Sequence, residues 1–302
     1  MPTKTETLIK LIDDAIINFN SGLPASQNKL YDELNLILKD LEIENGKLKN
    51  SVANIRMLGK LKNKINEVIV NDKYKNDVAK YISQFNAVSD WHDKYFSELV
   101  KKYKTPKVLE AIKVETIDAT VTAMTDTGID SNIGEGIRSI LRTAITSGGS
   151  YSSLTEDLRT YIKGNDKIEG AMQRYLKTIA TDSINTYSAT YNDTVSMDLG
   201  LNWFRFTGSL LETSRPCCIE MEKYEYFHRK QIPDILKGKI YNDTVPLYAK
   251  TDLPEGFKAN TTVANYPQLR NGWNCGHQII WISDGQVPDS VKIKVKALGY
   301  SI

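Results

Sequence analysis

The chain has 302 residues, with 39 Lys and Arg against 37 Asp and Glu and a formal charge of +2. That length supplies two domains or one elaborated domain, and the near balance of charge excludes a strongly basic nucleic-acid coat, so any DNA contact has to come from a local patch. Three cysteines, two of them adjacent, make no even disulfide framework, and the start MPTKTETLIKLIDD lacks the apolar stretch and cleavage site of a secretory leader. The expected place of folding is a reducing cytoplasm, and no apolar run approaches the about 20 residues that span a bilayer, which argues against a membrane role.

Leu8, Leu11, Ile12, Ala15, Ile16 and Phe19 repeat at helical spacing and stop at Gly22-Leu23-Pro24, which predicts a first amphipathic helix. A second is expected from near Ser26, through Leu30, Leu34, Ile37, Leu38 and Leu41, to Gly46. A third carries Leu48, Val52, Ile55, Leu58, Leu61, Ile65 and Val68, and a fourth runs from about Asp72 past Trp91 to Leu99. Each apolar stripe is too narrow to stand alone, so these helices are expected to pack as an antiparallel bundle, a scaffold or an arm that docks on a larger assembly. His92, beside Trp91, reads as a surface or boundary residue.

Three Lys-rich stretches, at 47–50, 60–64 and 101–104, offer Lys60, Lys62, Lys64, Lys101, Lys102 and Lys104 as candidate phosphate contacts, with a solvated helix face as the plainer reading. Thr105-Pro106 reads as a helix start for a segment through Met124. Gly128 is expected to break the pattern, and a short helix over Asn132 to Thr146 is ended by Gly148-Gly149. Ser153-Leu154-Thr155-Glu156 fits a capping box for a helix to about Ile162. A long helix from about Gly170 to Leu199 follows, with Tyr175, Ile179, Tyr187 and Tyr191 among many Ser, Thr and Asn residues and Gly200 as its C-terminal cap.

Beyond Gly200 the pattern changes to strands, at Trp203 to Phe206, more weakly at Lys239 to Tyr241, and at Gln278 to Ile282. A small antiparallel sheet against the long helix is the natural assembly, with a polar loop from about Thr244 to Pro267 and a tail, PDSVKIKVKALGYSI, that reads equally as helix or strand. The fold class expected is therefore α+β, predominantly helical, with an N-terminal bundle or arm and a C-terminal long helix on a small sheet.

The site-forming residue types gather in two stretches, WFRFTGSLLETSRPCC (203–218) and NGWNCGHQIIW (271–281). One reading is a polar cluster in which Arg215, Asn274 and His277 bond to loop carbonyls and pin the two turns together. A second is zinc, because Cys217, Cys218, Cys275, His277 and His228 supply soft and borderline ligands, although the spacing matches no finger pattern. A third is a nucleophilic pair of Cys218 or Cys275 with His277 or His228 as base and Asn274 as orienting group, disfavoured because Cys275 and His277 are only two residues apart. A Cys218–Cys275 disulfide is not expected in a cytoplasmic protein. No Walker loop, dinucleotide fingerprint or HExxH element occurs.

The order strand, Thr213-x-Arg215-x-x-Cys218, long loop, Asn274-Cys275-x-His277, strand resembles the phage Mu protein F-like (MuF) family of minor head proteins. Gly276 stands where that family usually has arginine. Upstream, Arg174, Tyr175, Ala180 and Asp182 fall in register with the family's R-Y-x-x-x-x-A-x-D segment, so the resemblance runs from about Asn132 to the end. It implies a MuF-like domain over 129–302 behind a helical region over 1–128. It further implies a structural minor head protein of a tailed phage or prophage, at the portal vertex or in the head interior after assembly in the host cytoplasm, acting in head morphogenesis and DNA packaging or ejection. Portal protein, capsid or scaffold protein and double-stranded DNA are the partners it suggests, with no catalysis and no resident cofactor. The alternatives are a MuF-type toxin or nuclease-like enzyme and a zinc-stabilised DNA-binding module.

Overall fold

The computed structural model describes residues 4–273 and 275–302, apart from the side chains of Lys62 and Asp126. Asn274 and the Lys62 side chain, both expected at sites, therefore lie outside the described residues. The expected helices form as α1 (Lys4–Ser21), α2 (Leu23–Leu38), α3 (Val52–Ile69), α4 (Asp72–Leu99), α5 (Val108–Met124), α6 (Glu135–Ser147), α7 (Tyr151–Lys163) and α8 (Ala171–Asp198); a further helix that was not expected, α9 (Pro216–Tyr224), follows the first Cys-bearing turn, and α10 (Asp289–Ala297) forms in the tail. Three strands, β1 (Trp203–Thr207), β2 (Tyr226–His228) and β3 (Gln278–Ile282), make one antiparallel sheet in the order β3-β1-β2, and the rest of the strand content is two-residue pairs. The class is α+β and predominantly helical. Among the described residues no helix is long and apolar enough to cross a membrane.

Several expected boundaries move, each for a local reason. The second helix does not run to Gly46: it ends at Leu38, and Ile43–Glu44 pairs with Lys47–Leu48 around Asn45-Gly46, both at positive φ. That Asn-Gly turn has the twist a two-residue hairpin needs. Gly128 does not break the helical path: Asp126–Ile129 is one helical turn and Asp130–Gly134 a π-helical turn leading into α6. A Cβ at Gly128 would meet the Ala123 carbonyl at 2.0 Å, so glycine lets this turn close against the end of α5. The cap of α7 is Ser150, whose hydroxyl accepts from the Ser153 amide at 3.0 Å, one turn before the expected capping box. The tail is helical, as α10.

The chain divides into two compact units. One comprises Ala15–Ser83 and Ile117–Ala180, in which α2 packs on α3 and α7, and α6 packs on α3 and α7. Its first hairpin is fixed by the buried Asn54 side chain, which accepts from Glu42 N at 2.8 Å and donates to Glu42 O at 3.1 Å and Lys49 O at 2.8 Å. The buried Tyr74 and Tyr81 hydroxyls end on the carbonyls of Met124 and Ala180, which satisfies both without an apolar cost.

The other unit comprises the segment up to Asp14, Gln84–Thr116 and Thr181–Ile302. Both α4 and α8 thus contribute one part to each unit, and the units interleave along the chain where a division at 128 was expected. Here Phe204, Phe206, Phe227, Trp281, Met221, Ile232, Ile235 and Tyr266 form the core under the sheet. The free edge of β3 is covered by α8: Asn192 donates to Ile279 O at 3.0 Å and accepts from Trp281 N at 3.3 Å, standing in for a neighbouring strand. His92 is fully buried, bonded to the Ser188 hydroxyl at 3.0 Å and stacked on Tyr191, which corrects its expected surface position. The i, i+4 spacing with Val88 and Phe96 placed it on the inward stripe of α4.

Candidate functional site

The sheet register separates the site residues. At one end of β1, Thr207 faces Gln278; at the other, Trp203 faces His228 and Ile282. The two Cys-bearing turns meet at the Thr207 end. His228 sits at the Trp203 end, four residues or about 13 Å of strand away. There its ring packs edge-on against Trp203 and its Nδ1 accepts from Lys230 N at 3.2 Å, so it does not join the cysteines. Burial, with Lys230 and Arg229 nearby, pulls its pKa down to about 4.

The first turn leads from β1 into α9. Arg215 is extended and Pro216 opens the helix, leaving Cys217 and Cys218 in its first turn. Successive helical residues point about 100° apart. Cys217 therefore joins the apolar core, where burial pushes its thiol up, and Cys218 faces the second turn. The second turn follows the helical turn Tyr266–Leu269 and reverses through Arg270 and Gly272, both at positive φ. His277, just before β3, stacks on Phe206 at 4.9 Å. A Cβ on Gly208 would reach the His277 ring at 2.7 Å, so only glycine leaves the imidazole room.

Cys218, Cys275 and His277 are all buried, and their sulfurs and a ring nitrogen lie within 4.8 Å of one another. Cys275 Sγ is 3.9 Å from His277 Nδ1. Between the sulfurs Cys218 is the donor, and this hydrogen bond, helped by His277 and Arg270, holds the Cys275 thiol well below the ordinary thiol range. The same bond, with burial, pushes Cys218 up.

Arg215 is the tie between the turns: Nη1 donates to Asn271 O at 2.9 Å and Nη2 to Trp273 O at 2.5 Å. The expectation that this guanidinium bonds loop carbonyls is met at those two atoms. Gly256, at φ +86°, leaves space for it, since a Cβ there would touch Arg215 Nε at 2.1 Å. Thr213 is exposed in the turn before it and joins nothing in the cluster. Gly276 is exposed, and a Cβ there meets nothing within 4 Å, so the fold accepts a larger residue at this position.

Arg270, Asn271 and Tyr266 escaped the sequence reading. The Arg270 side chain is fully buried, donates from Nη1 to Asn185 O of α8 at 2.5 Å and hydrogen-bonds Cys275. Burial alone lowers its pKa, while Cys275 and Asp182 oppose that. Asn271 donates to Cys218 Sγ at 3.4 Å and accepts the Tyr266 hydroxyl at 3.1 Å. The signal for Arg270 was its place one residue before the Asn-Gly turn at 271–272. A cation there faces inward because its own residue reverses the chain. Of the candidate phosphate-binding lysines, Lys60, Lys101, Lys102 and Lys104 are exposed, and the half-buried Lys64 pairs with Glu67 at 3.7 Å.

Comparison of the chain with family models, with curated proteins and with solved structures finds no match.

Proposed function

We propose that the chain is a MuF-type minor head protein of a tailed phage or prophage, acting without catalysis at the portal vertex in head morphogenesis and in DNA packaging or ejection. One observation carries the reading: the two motifs that resemble the family, far apart in sequence, meet in one cluster whose polar groups hold turns in place. Arg215 spans two backbone carbonyls of the second turn, and Cys218 abuts Cys275 beneath it. Such an arrangement suits a rigid docking module. The thiols and imidazole are 3 to 5% exposed, which suits packing better than turnover of a substrate. The helices before the module serve as the assembly arm, and portal, capsid or scaffold protein are its partners. Double-stranded DNA is a lesser partner, reached through exposed lysines on a nearly neutral chain.

The test is co-expression with the tagged portal protein of the same phage, followed by gel filtration and by mass spectrometry of purified particles. The chain is expected to travel with portal and to be present in heads. Trp273→Ala, at a half-exposed ring beside the Arg215 tie, is expected to weaken retention while the fold persists. A chain that elutes apart from portal and is missing from particles overturns the reading.

A further inference from the structure

We propose that Cys218, Cys275 and His277 bind one zinc ion, through two thiolates and one imidazole nitrogen, and that this ion ties the start of α9 to the entry of β3. Two sulfur ligands and one nitrogen are a donor set that zinc favours over harder divalent cations. Tetrahedral bonds of about 2.3 Å to sulfur and about 2.0 Å to nitrogen place ligand atoms about 3.5–3.8 Å apart. Here they lie within 4.8 Å of one another before any ion draws them in, and the 3.9 Å from Cys275 Sγ to His277 Nδ1 is already close to that spacing.

The surroundings fit the same centre. Thiolates on zinc accept N–H donors from outside the ligand shell, and Asn271 Nδ2 and the Arg270 guanidinium supply one to each sulfur. A metal-bound histidine donates its second ring N–H to a carboxylate or carbonyl. His277 turns Nδ1 toward Cys275, which leaves Nε2 buried with no hydrogen-bond partner. The Glu222 Oε2 atom is likewise buried with no hydrogen-bond partner. With Nδ1 on the metal, Nε2 must carry the proton. The sulfurs also lie close enough to oxidise together, with loss of two electrons to an added thiol oxidant. That disulfide would leave the imidazole unused. Cys217, turned into the apolar core, is not a ligand.

The site is tested on the full chain purified under reducing conditions and dialysed with equimolar zinc, then with cobalt(II) in its place. One zinc per chain is expected, with the charge-transfer band of thiolate bound to cobalt(II) when cobalt replaces it. Cys218→Ser, Cys275→Ser and His277→Gln are each expected to weaken zinc binding by at least about a hundredfold, and Asn271→Ala by about tenfold. Cys217→Ala is expected to keep full stoichiometry, which separates loss of a ligand from damage to a buried cysteine. Independently of whether a ligand variant folds, thiol titration of the unmutated protein supplies a second reading: Cys218 and Cys275 should be protected by zinc and released by chelator. Zinc below about a tenth of an equivalent with no cobalt band, or a Cys218–Cys275 disulfide in the protein as isolated, overturns the proposal. Portal binding and metal content are read separately, so either can fail alone.

Discussion

Removing the Arg215 guanidinium should unfasten the second turn without dissolving the core. The side chain is half-buried and makes two charge-assisted bonds, to Asn271 O at 2.9 Å and Trp273 O at 2.5 Å. Hydrogen bonds to charged groups contribute about 1.5–3 kcal/mol each, and partial exposure puts this pair at the lower end. Arg215→Ala is therefore expected to cost about 2–4 kcal/mol, concentrated in the 270–277 segment. Arg215→Lys keeps the charge, yet a point ammonium cannot span two carbonyls as a planar fork does, so it should recover less than half of the loss. Gly256→Ala reaches the same state indirectly, since its Cβ occupies the place of Arg215 Nε. Denaturant unfolding gives the magnitude, and amide hydrogen exchange gives the location. If Arg215→Ala costs under about 0.5 kcal/mol and exchange over 270–273 stays at its original rate, the tie described here is wrong.

Three other outcomes follow from single contacts. Burial pulls the His92 pKa from 6.5 to about 3, so stability is full above pH 6.5 and falls as pH drops toward 3, because only the unfolded chain takes up the proton. The loss is about 1.4 kcal/mol per pH unit, or about 2 kcal/mol at pH 5, and urea midpoints for His92→Gln should show that much less acid sensitivity. An unchanged slope would refute the assignment. Asn192→Ala strands the Ile279 carbonyl and the Trp281 amide on the buried edge of β3 and should cost about 2–4 kcal/mol by thermal and urea unfolding, and Asn192→Asp, which sets a buried carboxylate oxygen against the Ile279 carbonyl, should restore none of it. Gly208→Ala drives a methyl into the His277 ring and should destabilise the β1–β3 end of the sheet, visible as faster exchange at Gln278.

The longer helices were legible in the sequence because they rest on period, which survives almost any tertiary context, whereas the nine-residue α9 is too short to show one and was not expected. The stripes Leu8–Ile12–Phe19 and Tyr74–Val78–Phe85 are inward in the fold as they are on a helical wheel. What escaped depends on partners distant in sequence. The Asn45-Gly46 hairpin was available as a turn signal, but the apolar run through Leu41 resembled one more helical turn. The π turn at Asp130–Gly134 has no signature of its own and exists because Gly128 lets the chain close on Ala123. Strand β2 is three residues long, too short for alternation to show, and is defined by pairing with Trp203 to Arg205. At the site, the two Cys-bearing stretches were identifiable by composition, whereas the exclusion of His228 follows from the register of β1, which only the paired sheet reveals.

The two arginines explain why a cluster so polar can sit under two loops. Arg215 reaches the second turn from the side of α9 and holds its backbone; Arg270 reaches from that turn to the Asn185 carbonyl of α8 and to Cys275. Together they link α8, the second turn and α9 in series, with Cys218, Cys275 and His277 at the middle joint. A buried guanidinium without an anion would be costly, and the Cys275 sulfur, held toward the thiolate by its neighbours, provides that partner. Converting the sulfur to a metal ligand keeps its acceptor role for Arg270 while withdrawing part of its negative charge. Zinc should therefore slow exchange at the joint between Arg270 and Cys275 without loosening the α8 end, where the Asn185 carbonyl is untouched by the ion. If zinc instead released the α8 end, the series linkage would be refuted, and Arg270 would have to be read as a counter-ion to the sulfur alone.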